Sequence, residues 1–184
     1  IRLSLVGSEM CIRDSLKVRQ AVMAAMNRNM VVNNIFFGLG KVSTSPFVTT
    51  EMFYDKNMPA MPFDMKKARA LIKESGIKPE DYTIRQLSFP YGSTWDRLGE
   101  YTKQALEQLG FKVNLESTDA GGWASRTGNW DFDMTTTFTY QYGDPALGVQ
   151  RLYITSNIVK GSPFANVQGS VSYTHLTLPT ILLV

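Results

Sequence analysis

The sequence has little of the chemistry that metal sites and most nucleophilic enzymes use. Among 184 residues there is one cysteine, Cys11, and one histidine, His175. Both lie in terminal segments, residues 1–15 and 171–184, that differ in character from the interior. The interior therefore lacks the side chains for a zinc site of Cys and His, a cysteine nucleophile or a histidine-based triad.

The two ends of the chain are related through their codons. A nucleotide string that encodes residues 9–15 contains, in its reverse complement, a string that encodes residues 171–176. One inverted nucleotide sequence at two unrelated protein ends points to a ligated oligonucleotide, and both ends resemble translated transposase-type sequencing adapters. We therefore expect residues 1–15 and 171–184 to be non-native and to have no role in function.

Long apolar runs and clusters of basic residues are also missing. No apolar run reaches the roughly 20 residues needed to span a bilayer. The formal net charge is +3, and Lys and Arg are spread out rather than gathered in the stripe that nucleic-acid binding needs. The interior thus predicts neither a membrane span nor a nucleic-acid module, and its lack of cysteine fits an exported protein.

The periodicity of the interior predicts an α/β fold, with a mostly parallel sheet and flanking helices. Helices are predicted over residues 17–33, 65–75 and 94–110, with a short helical crossover over 123–126. Strands are predicted over residues 82–89, 111–116 and within 128–145. Asp64 and Gly76 have the residue types of an N-cap and a C-terminal stop for the second helix. The alternation of strands and helices predicts a right-handed βαβ arrangement.

The third predicted strand indicates where a ligand would bind. Its odd positions from Asp131 to Thr137 are polar, whereas its even positions are mostly apolar or aromatic: Phe132, Met134, Phe138 and Tyr140. Ligands collect beyond the carboxyl ends of parallel strands, so the aromatic segments 90–95 and 138–144 are candidate pocket walls. The alternative is an ordinary half-buried strand whose aromatic residues belong to the core.

Four segments, in this order along the chain, carry a family resemblance. They are VRQAVMAAMNRNMVVNNIFFGLGKVSTSPF (18–47), FDMKKARALIKESGI (63–77), LGEYTKQALEQLGFKVNLESTD (98–119) and NWDFDM (129–134). Together they resemble the family 5 extracytoplasmic solute-binding proteins of ABC transporters, the peptide, opine and nickel-type group. The resemblance implies a bilobed, type II-like periplasmic binding protein.

The resemblance also implies an organisation and a function. Residues 16–163 would form part of the second lobe, and residues 164–170 would begin the return to the other lobe. The whole protein would capture a peptide or peptide-like solute in an interlobe cleft and deliver it to ABC transporter permease subunits. It would work in the periplasm or another extracytoplasmic compartment, without catalysis, cofactor, metal or nucleic acid.

The predicted ligand-binding residues are Tyr91, Trp95, Phe138, Tyr140, Gln141, Asp144 and Arg151. The family's peptide binders carry an acid three positions before a D/E-P pair, where it meets the peptide's amino terminus. Asp144 and Pro145 match the pair, but Gln141 stands at the acidic position. A neutral amide gives no charge-assisted bond to an ammonium group, which puts recognition of a free amino terminus in doubt. An acid such as Asp119, or one in the other lobe, is the alternative.

A different class of function rests on the two closely spaced acids Asp131 and Asp133. Paired carboxylates perform glycoside hydrolysis when their separation suits a retaining or inverting mechanism. The same two acids match the GDFDM box of the solute-binding family, whose members are not enzymes. The sequence therefore favours the solute receptor and keeps a carboxylate-dependent hydrolase as the alternative.

Overall fold

Helices flank a small parallel sheet in the computed structural model of the chain. The structure describes residues 15–45, 49–50, 54–59, 61–138, 140 and 150–166. Several predicted positions lie outside these ranges: Cys11, Gln141, Asp144, Pro145 and His175. The adapter-like ends, apart from Ser15, lie outside them as well.

The sheet has three strands: β1 (Thr83–Leu87), β2 (Lys112–Glu116) and β3 (Met134–Thr135). All pairings are parallel and the order is β2-β1-β3, with β1 in the centre. The register aligns Leu87 of β1 with Glu116 of β2 and Thr135 of β3. This arrangement confirms the predicted α/β class with a parallel sheet. It also brings the carboxyl ends of β1 and β3 to the same edge.

The helices are α1 (Leu16–Ala25), α2 (Arg28–Met30), which continues into a π-helix (Val31–Ile35), α3 (Met65–Ser75), α4 (Ser93–Glu107) and α5 (Ala120–Gly128). Short 3-10 turns cover Pro79–Asp81, Gln150–Leu152 and Thr155–Asn157. A search of the described residues for a helix of bilayer-spanning length and apolarity finds none.

The ends of α3 follow directly from its sequence. Asp64 accepts a hydrogen bond from the backbone N–H of Lys67 at 2.9 Å, which satisfies one of the free donors of the first turn. Gly76 has φ +75°, the left-handed conformation that terminates helices and that glycine adopts without a steric penalty. The predicted cap and stop are both confirmed.

The single helix predicted over residues 17–33 is wrong, because the chain breaks at Met26 and Asn27. The Asn27 N–H donates to the hydroxyl of Tyr101 on α4 at 2.7 Å instead of continuing the helical ladder. The Asn27 side chain accepts from the Met30 N–H at 3.1 Å and so starts α2. A tertiary hydrogen bond therefore overrides a continuous helical periodicity.

The core has two parts, which occupy opposite faces of the sheet because successive strand side chains alternate. Helices α1, α3 and α4 cover one face, with a buried core of Val18, Ala21, Ala24, Ala25, Ala68, Ile72, Leu106, Leu109 and Phe111. The other face is aromatic and is covered by α5, with Leu87, Phe89 and Trp123 buried at its centre. The aromatic face ends at the carboxyl edge of the sheet.

The third strand differs most from its prediction, since within residues 128–138 the strand β3 covers only Met134–Thr135. Helix α5 occupies the chain up to Gly128, and Trp130 then turns it at φ +62°. The apolar side chains of this segment do not share one face of the sheet. Met134 packs against the core beneath α1, α3 and α4, whereas Phe132 and Phe138 pack on the opposite, aromatic face. The predicted alternation requires an extended strand, which residues 131–138 do not form beyond Met134–Thr135.

Gln86 is a buried polar residue between β1 and α4. Gln86 is 1% exposed, and its Nε2 donates to the carbonyl oxygen of Gly99 at 2.8 Å. The Oε1 atom has no hydrogen-bond partner among the described residues. A buried oxygen without a partner has lost its hydration and gained nothing in return.

We expect Gln86→Leu to change the free energy of unfolding by less than about 1 kcal/mol, because it removes one hydrogen bond together with the unpaired oxygen. Gln86→Ala should lower it by about 2–3 kcal/mol, because it leaves a cavity beneath α4. Urea denaturation of both variants measures the difference. Equal losses for Leu and Ala would contradict the role assigned to Oε1.

Candidate functional site

Four predicted ligand-binding residues come together at the carboxyl edge of the sheet. Tyr91 and Trp95 follow β1, whereas Phe138 and Tyr140 follow β3. Phe138 is the common neighbour, with ring centroids 5.1 Å from Tyr91, 5.8 Å from Trp95 and 5.1 Å from Tyr140. We call these four side chains the aromatic wall.

The aromatic wall presents a large part of its surface to solvent. Tyr91 is 62% exposed and Tyr140 is 56% exposed, while Trp95 and Phe138 are half-buried. Exposed rings that touch one another form a contiguous apolar surface, and such surfaces mark sites of interaction. The aromatic residues at the two strand ends are therefore only partly core, which favours the pocket interpretation over an ordinary strand.

Two buried residues that the sequence prediction missed support the aromatic wall from below. Phe89 is 8% exposed and contacts Tyr91, Trp95, Trp123 and Phe138 at centroid distances of 5.0–5.6 Å. Trp123, on α5, packs beneath Phe89 and is 3% exposed. Phe89 stands two residues before Tyr91, so the period-2 rule of a strand was the signal that could have found it.

A chain of hydrogen bonds fixes the base of the aromatic wall. The Trp123 indole N–H donates to Thr135 Oγ1 at 3.1 Å, and that hydroxyl donates to the carbonyl oxygen of Leu87 at 2.8 Å. The chain links α5 to β3 and β3 to β1 at the residue where both strands end. The rings that follow Leu87 and Thr135 are thus anchored relative to each other.

The loop after the π-helix lies beside the aromatic wall, on the side of α4, and touches it through Phe36 alone among the ring contacts of the described residues. Phe36 meets Trp95 edge to face with centroids 5.8 Å apart. Phe37 follows at φ +54° and is 65% exposed, and the guanidinium of Arg97 lies 5.9 Å from its ring centroid. Gly38 then turns the chain at φ +76°.

The remaining predicted residues do not join the aromatic wall in the described part of the chain. Arg151 lies in the 3-10 turn Gln150–Leu152 and is exposed, and its carbonyl oxygen accepts from Asn157 Nδ2 at 3.2 Å. No hydrogen bond, ion pair or cation–π contact to the wall is found for Arg151 within the described ranges. Gln141 and Asp144 lie outside those ranges.

The acids of the hydrolase alternative are both held by arginine. Arg85 donates to Asp131 Oδ1 at 2.6 Å through one terminal nitrogen and to Asp133 Oδ1 at 3.1 Å through the other. Its backbone N–H donates to Asp133 Oδ2 at 2.7 Å. Arg126 lies 3.1 Å from Asp131 Oδ2 and also pairs with Glu116 at 2.5 Å.

These ion pairs stabilise the charged forms of the groups. The hydrogen bond from Arg85 lowers the pKa of Asp131 below its usual value, and the hydrogen bond to Asp133 raises the pKa of Arg85 further. A general acid of a glycosidase needs a raised pKa so that it holds a proton near neutral pH. The network therefore has the features of a structural tie between β1 and the start of β3.

One cavity lies apart from the aromatic wall. A cavity of about 150 Å³ is lined by Ala25, Asn27, Met30, Phe63, Tyr101, Ala105 and Gln108, between α1 and α4, and shares no residue with the wall. Within the described ranges, no group of three or more His, Cys, Asp and Glu side chains is arranged to hold a metal ion.

The fold resembles those of solved periplasmic binding proteins. The periplasmic binding protein DppA from Helicobacter pylori, in complex with peptide STSA, superposes with a TM-score of 0.75 at 21% identity, covering 88% of this chain and 31% of that protein. HbpA2 from Haemophilus parasuis gives a TM-score of 0.77 at 25% identity, covering 90% and 32%.

Comparison of sequences gives a consistent result. The glutathione-binding protein GsiB of Salmonella paratyphi A is 28% identical, covering 79% of this chain and 32% of that protein. The chain thus spans about a third of the length of the relatives that it matches. The model described as bacterial extracellular solute-binding proteins, family 5 Middle, matches residues 12–159, and the chain belongs to this family.

Proposed function

We propose that the protein is the substrate-binding component of an ABC importer and that it captures a peptide or peptide-like solute. The observation that carries this proposal is the convergence of exposed rings from two strand ends at one edge of a parallel sheet. In open α/β sheets that edge is where ligands bind. GsiB is named for glutathione and DppA was solved with a peptide, and both of these solutes contain peptide bonds.

The aromatic wall would form one side of an interlobe cleft. Residues 16–163 would belong to the second lobe, and residues 164–170 would begin the return to the other lobe. Closure of two lobes around a solute is a hinge motion that buries the ligand on both sides. The loaded protein would then deliver the solute to permease subunits from the periplasm or an equivalent extracytoplasmic space.

Catalysis has no part in this proposal. The arginine pairs hold Asp131 and Asp133 at the start of β3, whereas the aromatic wall follows the carboxyl ends of β1 and β3. An acid whose pKa is lowered by an arginine does not protonate a leaving group near neutral pH. The structure of this part of the chain supports binding rather than bond cleavage.

The first test screens the full-length protein against dipeptides, oligopeptides, opines and sugars by thermal shift. We expect stabilisation by at least one peptide-like solute, amounting to about 2.7 kcal/mol when its concentration is 100 times Kd. Phe138→Ala should weaken that binding by about tenfold or more, because it removes the ring shared by the wall. Leu39→Ala, an exposed apolar residue outside the wall, is the matched control and should bind normally.

The outcome that contradicts the transport receptor is equally specific. It is the absence of a shift with every solute, combined with turnover of a glycoside that Asp131→Asn abolishes. That pair of results would establish the hydrolase alternative instead.

The second test concerns the solute's amino terminus and Gln141. We expect Gln141→Asp to increase the affinity for a dipeptide over its N-acetylated form, because a carboxylate gives an ammonium group a charge-assisted bond worth roughly 1.5–3 kcal/mol. Gln141→Asn keeps the side chain neutral and should leave the ratio unchanged. Isothermal titration of both ligands measures it. A ratio that does not move in the Asp variant would show that Gln141 does not face the solute.

A further inference from the structure

We infer that the aromatic wall binds an uncharged, flat or bulky apolar side chain of the solute, rather than one of its charged ends. This inference rests on the proposed function, because it assigns one part of the solute to a surface within the same site. It adds the chemical class of the group that this surface selects. Three features carry it: the ring geometry, the uncharged rings that contact Phe138 in the described part of the chain, and the rigid support.

The ring geometry leaves a shaped apolar surface around Phe138. Tyr91 and Tyr140 stand at interplanar angles of 67° and 73° to Phe138, each with its centroid 5.1 Å away. Because both tyrosine centroids lie 5.1 Å from that of Phe138, they are at most about 10 Å from each other. Edge-to-face and offset contacts are the favoured geometries of aromatic pairs. An apolar side chain laid against this surface can contact all three rings together.

No ring that contacts Phe138 within the described residues carries a charge. The contacting rings are those of Phe89, Tyr91, Trp95 and Tyr140. Arg85 lies four residues before Phe89, roughly 13 Å away along an extended strand, and it is paired with Asp131 and Asp133. A charged group placed on these rings would lose hydration without meeting an opposite charge among them, whereas an apolar group would gain.

The support beneath the wall keeps the surface preformed. Phe89 and Trp123 are buried under it, and the Trp123 indole is held by Thr135. A ring that is already in place loses little conformational freedom when a ligand binds. Tyrosine and tryptophan have few side-chain torsions, which lowers the entropic cost further. The wall can therefore contribute to selectivity and not only to contact area.

The alternative to a solute is that another part of the full-length chain covers the aromatic wall. A wall buried against the protein itself would be needed for folding, so truncating Tyr91 would lower the melting temperature of the unliganded protein. A wall reserved for solute would show only the smaller loss that follows from removing the contacts of Tyr91 with Phe89 and Phe138, and the variant would also bind aromatic side chains less tightly. The melting temperature of the unliganded variant and its affinity for aromatic side chains together distinguish the two occupants.

The experiment titrates full-length protein with trialanine, with the three tripeptides that carry one Phe in place of an Ala, and with their Glu counterparts. We expect at least one Phe tripeptide to bind about tenfold more tightly than trialanine, and no Glu tripeptide to do so. Tyr91→Ala should reduce the Phe advantage to about threefold or less, while the affinity for trialanine stays the same. Intrinsic tryptophan emission, to which Trp95 in the wall contributes, is a second measure of binding.

Two further variants serve as controls. Tyr91→Phe keeps the ring and should keep the Phe advantage. Phe37→Ala removes an equally exposed ring that contacts Arg97 outside the wall, and it should also keep the advantage.

Three results would overturn the inference while leaving peptide capture intact. They are equal binding of Phe tripeptides and trialanine, tighter binding of a Glu tripeptide, and a lowered melting temperature of Tyr91→Ala with an unchanged Phe advantage. Binding of no tripeptide at all would overturn both this inference and the proposed peptide class.

Discussion

The attachment of β3 to β1 is the constraint on which the position of the aromatic wall depends. A strand of two residues forms too few ladder hydrogen bonds to be stable alone. Side chains supply what the ladder lacks. Thr135 donates to the Leu87 carbonyl, and the Asp133 carboxylate accepts the Arg85 N–H that a longer strand would have bonded through its backbone. Polar side chains at both ends of β3 thus hold the edge at which the rings meet.

Strong local signals explain what could be predicted from the sequence. The cap at Asp64, the left-handed Gly76 and the alternation in β1 and β2 each depend on residues close in sequence, and each is confirmed. The meeting of four of the predicted residues at one edge has a related reason. Parallel strands end at a shared edge, so aromatic residues after two strands had to come near each other.

Long-range contacts explain what could not be predicted. The break at Asn27 depends on the Tyr101 hydroxyl, which lies 74 positions further along the chain. At the start of β3 the Asp133 carboxylate, in place of a backbone carbonyl, accepts the hydrogen bond of the Arg85 N–H. The alternation of polar and apolar residues does not predict this replacement. Trp123 belongs to the site through its packing under Phe89, although its segment predicted only a helical crossover.

The aromatic wall and the two buried rings beneath it differ in burial, and this difference has a consequence for how the proposed receptor would diversify. Phe89 and Trp123 lie inside and are packed on several sides, so replacing either would cost stability. Tyr91 and Tyr140 share their contacts with Phe138 but face outward, where substitutions are tolerated by the fold. Under the proposed function, the outer rings would be free to change with the solute while the inner pair is retained. Selectivity and foldability would then depend on different residues of one cluster.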